Sequence, residues 1–261
     1  MSEADGSRPL NVVVTGGGTI APIDDVRHIA NASTGRFSAA ITEAWLDQGA
    51  TVWHVHAPTA ELPIRRHLNA IDLARPAEKL RQSLDALADR WKSQQDRLHL
   101  VPLARGTVSD YAETLERIVR AGPADVVMLA MAVSDYEPMV RSGKIGSEAD
   151  LLTLHCRKTP KVIQAVRDWA PDAYLVGFKL LSGAEPSELI RTAERACRIN
   201  RTDLTVANDL RSYRAGRHTI VLVRPDAPVE TLGPEDGDRA RLLVDRVARW
   251  AGHLGERRSA T

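Results

Sequence analysis

Cysteine is scarce in this chain of 261 residues: Cys156 and Cys197 are too few for a disulfide scaffold or a cysteine-built metal cluster. They read as reduced, half-buried thiols of a reducing compartment. An excess of one charge is also lacking. The 35 basic residues stand against 34 acidic ones, a net charge of +1, which gives no electrostatic basis for capture by nucleic acid or an anionic membrane. No apolar run approaches the ~18 residues of a membrane span. Residues 1–9 are polar and lack the apolar stretch of a secretory signal, so a cytoplasmic setting is expected. Standard catalytic devices are missing too: there is no G-x-x-x-x-G-K-[ST] loop, no H-E-x-x-H and no G-x-S-x-G elbow.

What is present is an ordinary globular composition, 43% hydrophobic and 26% charged, enough to bury a sizeable core. The length fits one large α/β domain or two small ones, and the lack of a linker, repeat or low-complexity tract favours one. We expect a single domain over residues 10–251, with residues 1–9 and 252–261 as frayed ends.

The organising stretch lies near the start. Val12, Val13 and Val14 lead through Thr15 to three glycines, Gly16, Gly17 and Gly18. A polar loop follows, and then Phe37, Ala40, Ile41, Ala44 and Trp45 recur at helical spacing. Ser33 and Thr34 occupy the expected N-cap, and Gly49 the position where the helix should stop. Backbone N–H groups exposed at a glycine turn and a helix start favour an anion, usually a phosphate. Asn31, two residues before the cap, can reach whatever is held there. The same residues also read as a tight turn and a capped helix with no ligand.

Further along, the spacing predicts strands at 50–58 and 98–103, a buried strand at 126–133 and helices at 77–95 and 108–121. Such alternation indicates a parallel, doubly wound sheet. Residues 137–150 read as a long loop, followed by weak alternation at 151–155. Helices are expected at 160–169, 187–199 and 239–251, and strands at 174–181, 204–207 and 219–223.

In such a sheet ligands gather beyond the carboxyl ends of the strands. The polar groups expected there are Gly16 to Gly18, Ser134-Asp135-Tyr136, Lys179, and Asn208-Asp209. Asp135, at the end of a buried strand, needs a cation, metal or ligand unless it caps a helix or forms a structural ion pair. A dinucleotide-dependent oxidoreductase would suit this site. However, the turn is TGGGT rather than G-x-G-x-x-G, and the second strand ends in His54-Val55-His56 with no acidic residue for a ribose. No tyrosine stands four residues before a lysine. Residue chemistry alone reaches an α/β enzyme that handles a phosphorylated or anionic ligand.

Six ordered blocks carry a more specific resemblance: GGGT-x-x-PIDDVR-x-IAN-x-STG (16–35), MAVSDY-x-P (131–138), GKI (143–145), KTPKVI (158–163), VGFKLL (176–181) and DLTVANDL (203–210). Together they resemble the phosphopantothenoylcysteine synthetase family, the phosphopantothenate–cysteine ligases, in its stand-alone bacterial form. The resemblance implies an α/β fold with a three-layer, doubly wound, mostly parallel sheet (Rossmann-like), and a loop or dimerisation segment after Asp135. It implies activation of the carboxylate of 4′-phosphopantothenate by CTP (or ATP) with Mg²⁺, forming an acyl-nucleotide and pyrophosphate. Attack by the amine of L-cysteine would follow, in a homodimer.

By position, the resemblance gives Asn31 the acyl-nucleotide intermediate, as a donor to its acyl carbonyl. It gives Lys144, on a mobile lid, the phosphates and the second step. Gly16, Gly17, Gly18, Ala132, Asp135, Thr159, Pro160, Lys161, Val162 and Phe178 would line the nucleotide pocket. Ser33, Thr34, Gly35, Arg36, Phe178 and Asn208 would meet the substrate. Two places depart from the family pattern. Ser38 stands where glycine is common in the helix's first turn, and Ala196 and Asn200 replace a lysine pair, with Arg195 and Arg198 as the nearest cations. The alternatives are an NAD(P)-dependent reductase and a non-catalytic relative that binds a phosphorylated metabolite.

Overall fold

A computed structural model describes residues 8–122 and 124–259. The expected frayed ends at 1–7 and 260–261 lie outside the described residues. Twelve strands and seven α-helices follow one another among those described. The first half holds β1 (Asn11–Gly16), β2 (Ile20–Pro22), β3 (His28–Ala30), α1 (Arg36–Asp47), β4 (Thr51–His56), α2 (Ala77–Gln94), β5 (Leu98–Pro102), α3 (Val108–Ala121) and β6 (Val126–Leu129). The second half holds β7 (Tyr136–Pro138), β8 (Cys156–Lys158), α4 (Val162–Trp169), β9 (Tyr174–Leu181), α5 (Pro186–Asn200), β10 (Leu204–Asp209), α6 (Leu210–Arg214), β11 (Ile220–Val223), β12 (Glu230–Leu232) and α7 (Arg239–Ser259).

Eight strands form the main sheet in the order β12-β11-β10-β9-β6-β1-β4-β5. All pairings from β10 to β5 are parallel; β11 and β12 add an antiparallel edge. The fold is therefore the expected mostly parallel, doubly wound sheet. Val12 and Val14 face a core made with Ile41, Trp45, Leu243 and Val247 of α1 and α7. Val13, one residue out of phase, faces Tyr111, Leu115 and Val166 of α3 and α4. That two-sided burial explains strands that are apolar without alternation. The helix α5 covers the same side as α4, against Ala207 and Val221, so Ala196 and Asn200 lie across the sheet from α1.

Several elements differ from the sequence reading. The polar loop after the glycines is a hairpin of β2 and β3. The buried strand at 126 stops at Leu129, and β7 then pairs antiparallel with β8 in a separate ribbon. Segments of three residues are too short to show a period. The leucine face of α2 is shallow: Leu80 and Leu87 are half-buried and Leu84 is exposed. The helix α7 continues to Ser259 rather than stopping at Ala251, and α6 and β12 are additional. Cys156 is exposed and Cys197 buried, its thiol beside Thr205 Oγ1 at 3.0 Å and the Val223 carbonyl at 3.2 Å, so neither is half-buried.

Candidate functional site

From β1 the chain runs to β4 and β5 on one side, then crosses back to β6, β9 and β10 on the other. The reversal lies between β1 and β6, and crevices at such points receive ligands in doubly wound sheets. Here the glycine turn meets the segment after β6. Gly18 bridges Ala132, Thr19 N–H donates to the Ala132 carbonyl at 2.9 Å, and Ala132 N–H donates to the Gly17 carbonyl at 2.9 Å.

The helix α1 begins against this turn. Its N-cap is Gly35, in the left-handed region at φ 77°, without a side-chain cap. A methyl group on Gly35 would stand 3.1 Å from Gly17 N, so only glycine lets turn and helix approach this closely. Ser33 and Thr34 are exposed and do not cap the helix as expected; Thr34 Oγ1 only accepts from Arg36 N–H at 3.3 Å. Gly49 lies just past the end of α1 in a left-handed conformation, as expected. First-turn N–H groups without a side-chain cap, beside a glycine turn, suit an anion.

Asn31 leads from β3 into the crevice. Its Nδ2 donates to the Ala132 carbonyl at 3.0 Å and to Ser134 Oγ at 3.1 Å. Both amide hydrogens are thereby used, so among the described residues Oδ1 is the amide atom left without a partner, and it can only accept. The expected donor to an acyl carbonyl is not available in this conformation. Thr19, fully buried, receives Ser134 N–H at 3.0 Å, and Thr159 Oγ1 donates to the Ser134 carbonyl at 2.5 Å. Thr19 is a framework residue that sequence reasoning missed, although it is the final letter of the GGGT block.

Asp135 is exposed rather than buried at a strand end, and it pairs with Lys161. Thr159 N–H donates to its carbonyl at 3.0 Å, and Pro160 lies exposed beside it. Val162, expected in the nucleotide pocket, instead turns into the core under α3. Arg36 is exposed at the first position of α1.

Phe178 and Asn208 share the α1 face of the sheet, as the β9–β10 register requires. Phe178 packs edge-to-face on Phe37 at 6.3 Å, and Phe37 on His218 at 4.7 Å. Burial, with Arg239 nearby, pushes the His218 pKa down to about 4, so its ring is neutral at pH 7. Asp209 caps α6 through Ser212 N–H at 2.9 Å and also receives Gly183 N–H at 2.5 Å, so it is structural.

Lys144 is not brought to Asn31. It is exposed beside residues 23–27, the turn of the β2–β3 hairpin, whereas Asn31 follows Ala30 at the opposite end. Three strand residues separate the ends, about 10 Å.

Beneath the turn lie two histidines. His54 is fully buried, with Nδ1 2.8 Å from Thr42 Oγ1 and no partner for Nε2 among the described residues. Burial, followed by His56, lowers its pKa to about 3. His54 Cε1 would lie 3.3 Å from a methyl group on Gly16, and Ser38 Oγ only 2.0 Å. Ser38 donates to the Gly35 carbonyl at 2.7 Å and fills the hollow that a glycine would leave open.

The fold and site define a doubly wound α/β protein in which a glycine turn and the head of α1 face one crevice at the switch point. More particularly, the chain belongs to the DNA/pantothenate metabolism flavoprotein C-terminal domain family, whose sequence model matches residues 8–112 and 93–249. It is 32% identical to phosphopantothenate–cysteine ligase 2 of Oryza sativa subsp. japonica, covering 92% of this chain and 80% of that one. It is 28% identical to the coenzyme A biosynthesis bifunctional protein of Thermococcus kodakarensis, covering 82% of this chain but only 45% of that protein's length. The solved DNA/pantothenate metabolism flavoprotein of Streptococcus pneumoniae superposes with a TM-score of 0.72 at 26% identity, over 92% of this chain and 99% of that one. The resemblance drawn from the six blocks is borne out.

Proposed function

We propose that this chain is a phosphopantothenate–cysteine ligase of coenzyme A biosynthesis that works through an acyl-nucleotide. The carboxylate of 4′-phosphopantothenate attacks the α-phosphorus of CTP, or of ATP, and pyrophosphate leaves. The amine of L-cysteine then attacks the acyl carbon; the amide C–N bond forms, the acyl–phosphate bond breaks, the amine loses a proton and the nucleoside monophosphate departs. The observation that carries this reading is Asn31 fixed to Ala132 and Ser134 at the switch point, in front of the glycine turn and the head of α1. It agrees with the family membership and with the name of the rice relative.

Each part has a chemical task. Backbone N–H groups at Gly16 to Gly18 and the start of α1 neutralise phosphate oxygens, with Ser33, Thr34, Gly35 and Arg36 on the substrate side. The free Oδ1 of Asn31 accepts a hydrogen bond from the incoming amine and aims it. Lys161 supplies a cation beside Asp135, and Thr159 with Pro160 shapes that wall. Phe178 and Asn208 offer an aromatic face and an amide on the neighbouring side of α1. Among the described residues no three His, Cys, Asp or Glu side chains cluster to hold a metal ion. A protein cage for Mg²⁺ therefore does not fit, and the ion would be carried by nucleotide phosphates. Val26, Ile29, Tyr136, Met139, Val140 and Leu151 expose apolar surface on the hairpin and the ribbon segment, which supports a homodimer through that region. No helix among the described residues is long and apolar enough to cross a membrane.

The test is pyrophosphate release from CTP and from ATP, with and without 4′-phosphopantothenate. Release only in its presence is expected, and Asn31→Ala should lower turnover about 100-fold, because the attacking amine loses its aim. No release with either nucleotide would overturn the ligase. Tight phosphopantothenate binding without turnover would instead favour the non-catalytic relative, a reading that the Ser38 plug keeps in view. Stabilisation by NADPH alone in a thermal-shift panel would favour the reductase.

A further inference from the structure

The segment that carries Lys144 is clamped on both sides of that residue. Ahead of it, Gly143 N–H donates to Asp25 Oδ2 at 3.1 Å and Asp25 N–H returns to the Gly143 carbonyl at 3.4 Å. Behind it, Ile145 N–H donates to Asp24 Oδ2 at 3.0 Å, and Arg27 Nη2 donates to the Ile145 carbonyl at 3.1 Å. Arg141 N–H donates to the Ile23 carbonyl at 3.0 Å and completes the attachment. The Asp24 carboxylate has no exposed surface; it also receives Val26 N–H at 3.0 Å, Arg27 N–H at 2.7 Å and Arg27 Nη1 at 3.0 Å. Between the clamps, the Lys144 side chain is exposed and has no hydrogen bond or ion pair among the described residues.

Such a residue is neither a plain surface lysine nor part of a loose lid. Two consecutive carboxylates fix the backbone amides before and after it while its cation stays uncommitted. We propose that Asp24 and Asp25 are positioning residues that preorganise Lys144, holding its backbone at one place so that its ammonium meets a phosphate without a loop-ordering cost. The inference rests on the ligase reading and on the phosphate contact that the family resemblance implies for Lys144, here made from the turn of the hairpin, about 10 Å from Asn31.

In Asp24→Asn, an NH₂ group replaces the oxygen facing Ile145 N–H and Arg27, or, if the amide turns over, the oxygen facing Val26 and Arg27 N–H. Donors are left unpaired in either case. Asp25→Ala removes only the side-chain half of the Gly143 clamp, leaving the backbone bond to the Gly143 carbonyl, and, being nearer the surface, provides the variant that folds should Asp24→Asn not.

The experiment combines turnover, measured as pyrophosphate release, with amide exchange of the 141–146 segment in the full chain. In the wild-type protein the Gly143 and Ile145 amides should exchange slowly; fast exchange there would overturn the clamp. Asp24→Asn and Asp25→Ala should speed that exchange and lower kcat, Asp24→Asn by about tenfold, with KM for 4′-phosphopantothenate little changed. In the Lys144→Gln background, Asp24→Asn should cost nothing more, because its effect runs through the lysine. Full additivity of the two substitutions, or wild-type kcat in both aspartate variants, would overturn the inference. Wild-type turnover in Lys144→Gln would overturn it too and would remove Lys144 from the mechanism, while leaving the ligase standing.

Discussion

The centre of the sheet and the projection built on its crevice side are held by different forces. The centre, β4-β1-β6-β9, is covered on both faces and mostly apolar, and Val12, Val14, Val52, Val126 and Val176 have no exposed surface. The projection, made of the β2–β3 hairpin and the β7–β8 ribbon, buries little and exposes Val26, Ile29, Tyr136, Met139 and Val140. It is tied instead by carboxylates: Asp24 and Asp25 to residues 143–145, and Glu137 to Arg157 at 2.9 Å. Burial is non-directional and tolerates small displacements, whereas a carboxylate that gathers several N–H groups fixes a backbone to tenths of an ångström. The first makes a platform; the second aims a residue.

The contrast can be broken from the platform side first. Trp45 is fully buried, with Nε1 donating to Met128 Sδ at 3.1 Å. Trp45→Ala should cost about 4 kcal/mol in chemical denaturation. A loss below about 1 kcal/mol would show that the centre is not close-packed there.

Acid should also act on the platform. The folded pKa of His54, about 3, lies below its ordinary 6.5. Above pH 6.5 both states are neutral and nothing is lost. As pH falls through 6.5 the unfolded chain takes up a proton that the folded chain refuses, and stability declines until about pH 3. Between pH 7 and 4.5 the decline from this residue is about 2–3 kcal/mol. His54→Gln should flatten that part of the stability curve; an unchanged slope would assign the proton elsewhere. Glu43 extends the decline. Burial opposes its ionisation, but Arg66, His67 and Ile64 N–H outweigh that and hold it at about 2, below its ordinary 4.5. Its share of stability is present above pH 4.5 and is lost as pH falls towards 2.

The smallest effect belongs to the projection. Asp25→Ala should leave the global unfolding midpoint unchanged while exchange of residues 141–146 quickens. A cooperative loss of the whole fold would erase the distinction between the two regions.

The platform was legible because its signals are local and repeated. The bounds of β9 and α3 agree with the residues that their apolar pattern marks, 174–181 and 108–121. The switch point was legible from the glycines and from the residues around Ala132, since doubly wound topology sends both to one crevice. The projection was not. Three-residue strands carry no period, and the pairing of Asp24 with Ile145 spans 121 positions, which no local pattern encodes. The same limit explains Val162 and Lys144. Motif order put both near the nucleotide, but helix phase turns Val162 inward and the hairpin holds Lys144 at its far end.

Ser38 carries a consequence of its own. Its hydroxyl sits in the hollow beside Gly16, held there by the Gly35 carbonyl. One oxygen atom thus sets the depth of the hollow at the head of α1: an anion seated there would ride higher than over a bare glycine. Trimming that residue to glycine would deepen the seat by roughly the width of a hydroxyl, and the preferred length of the guest would shift with it.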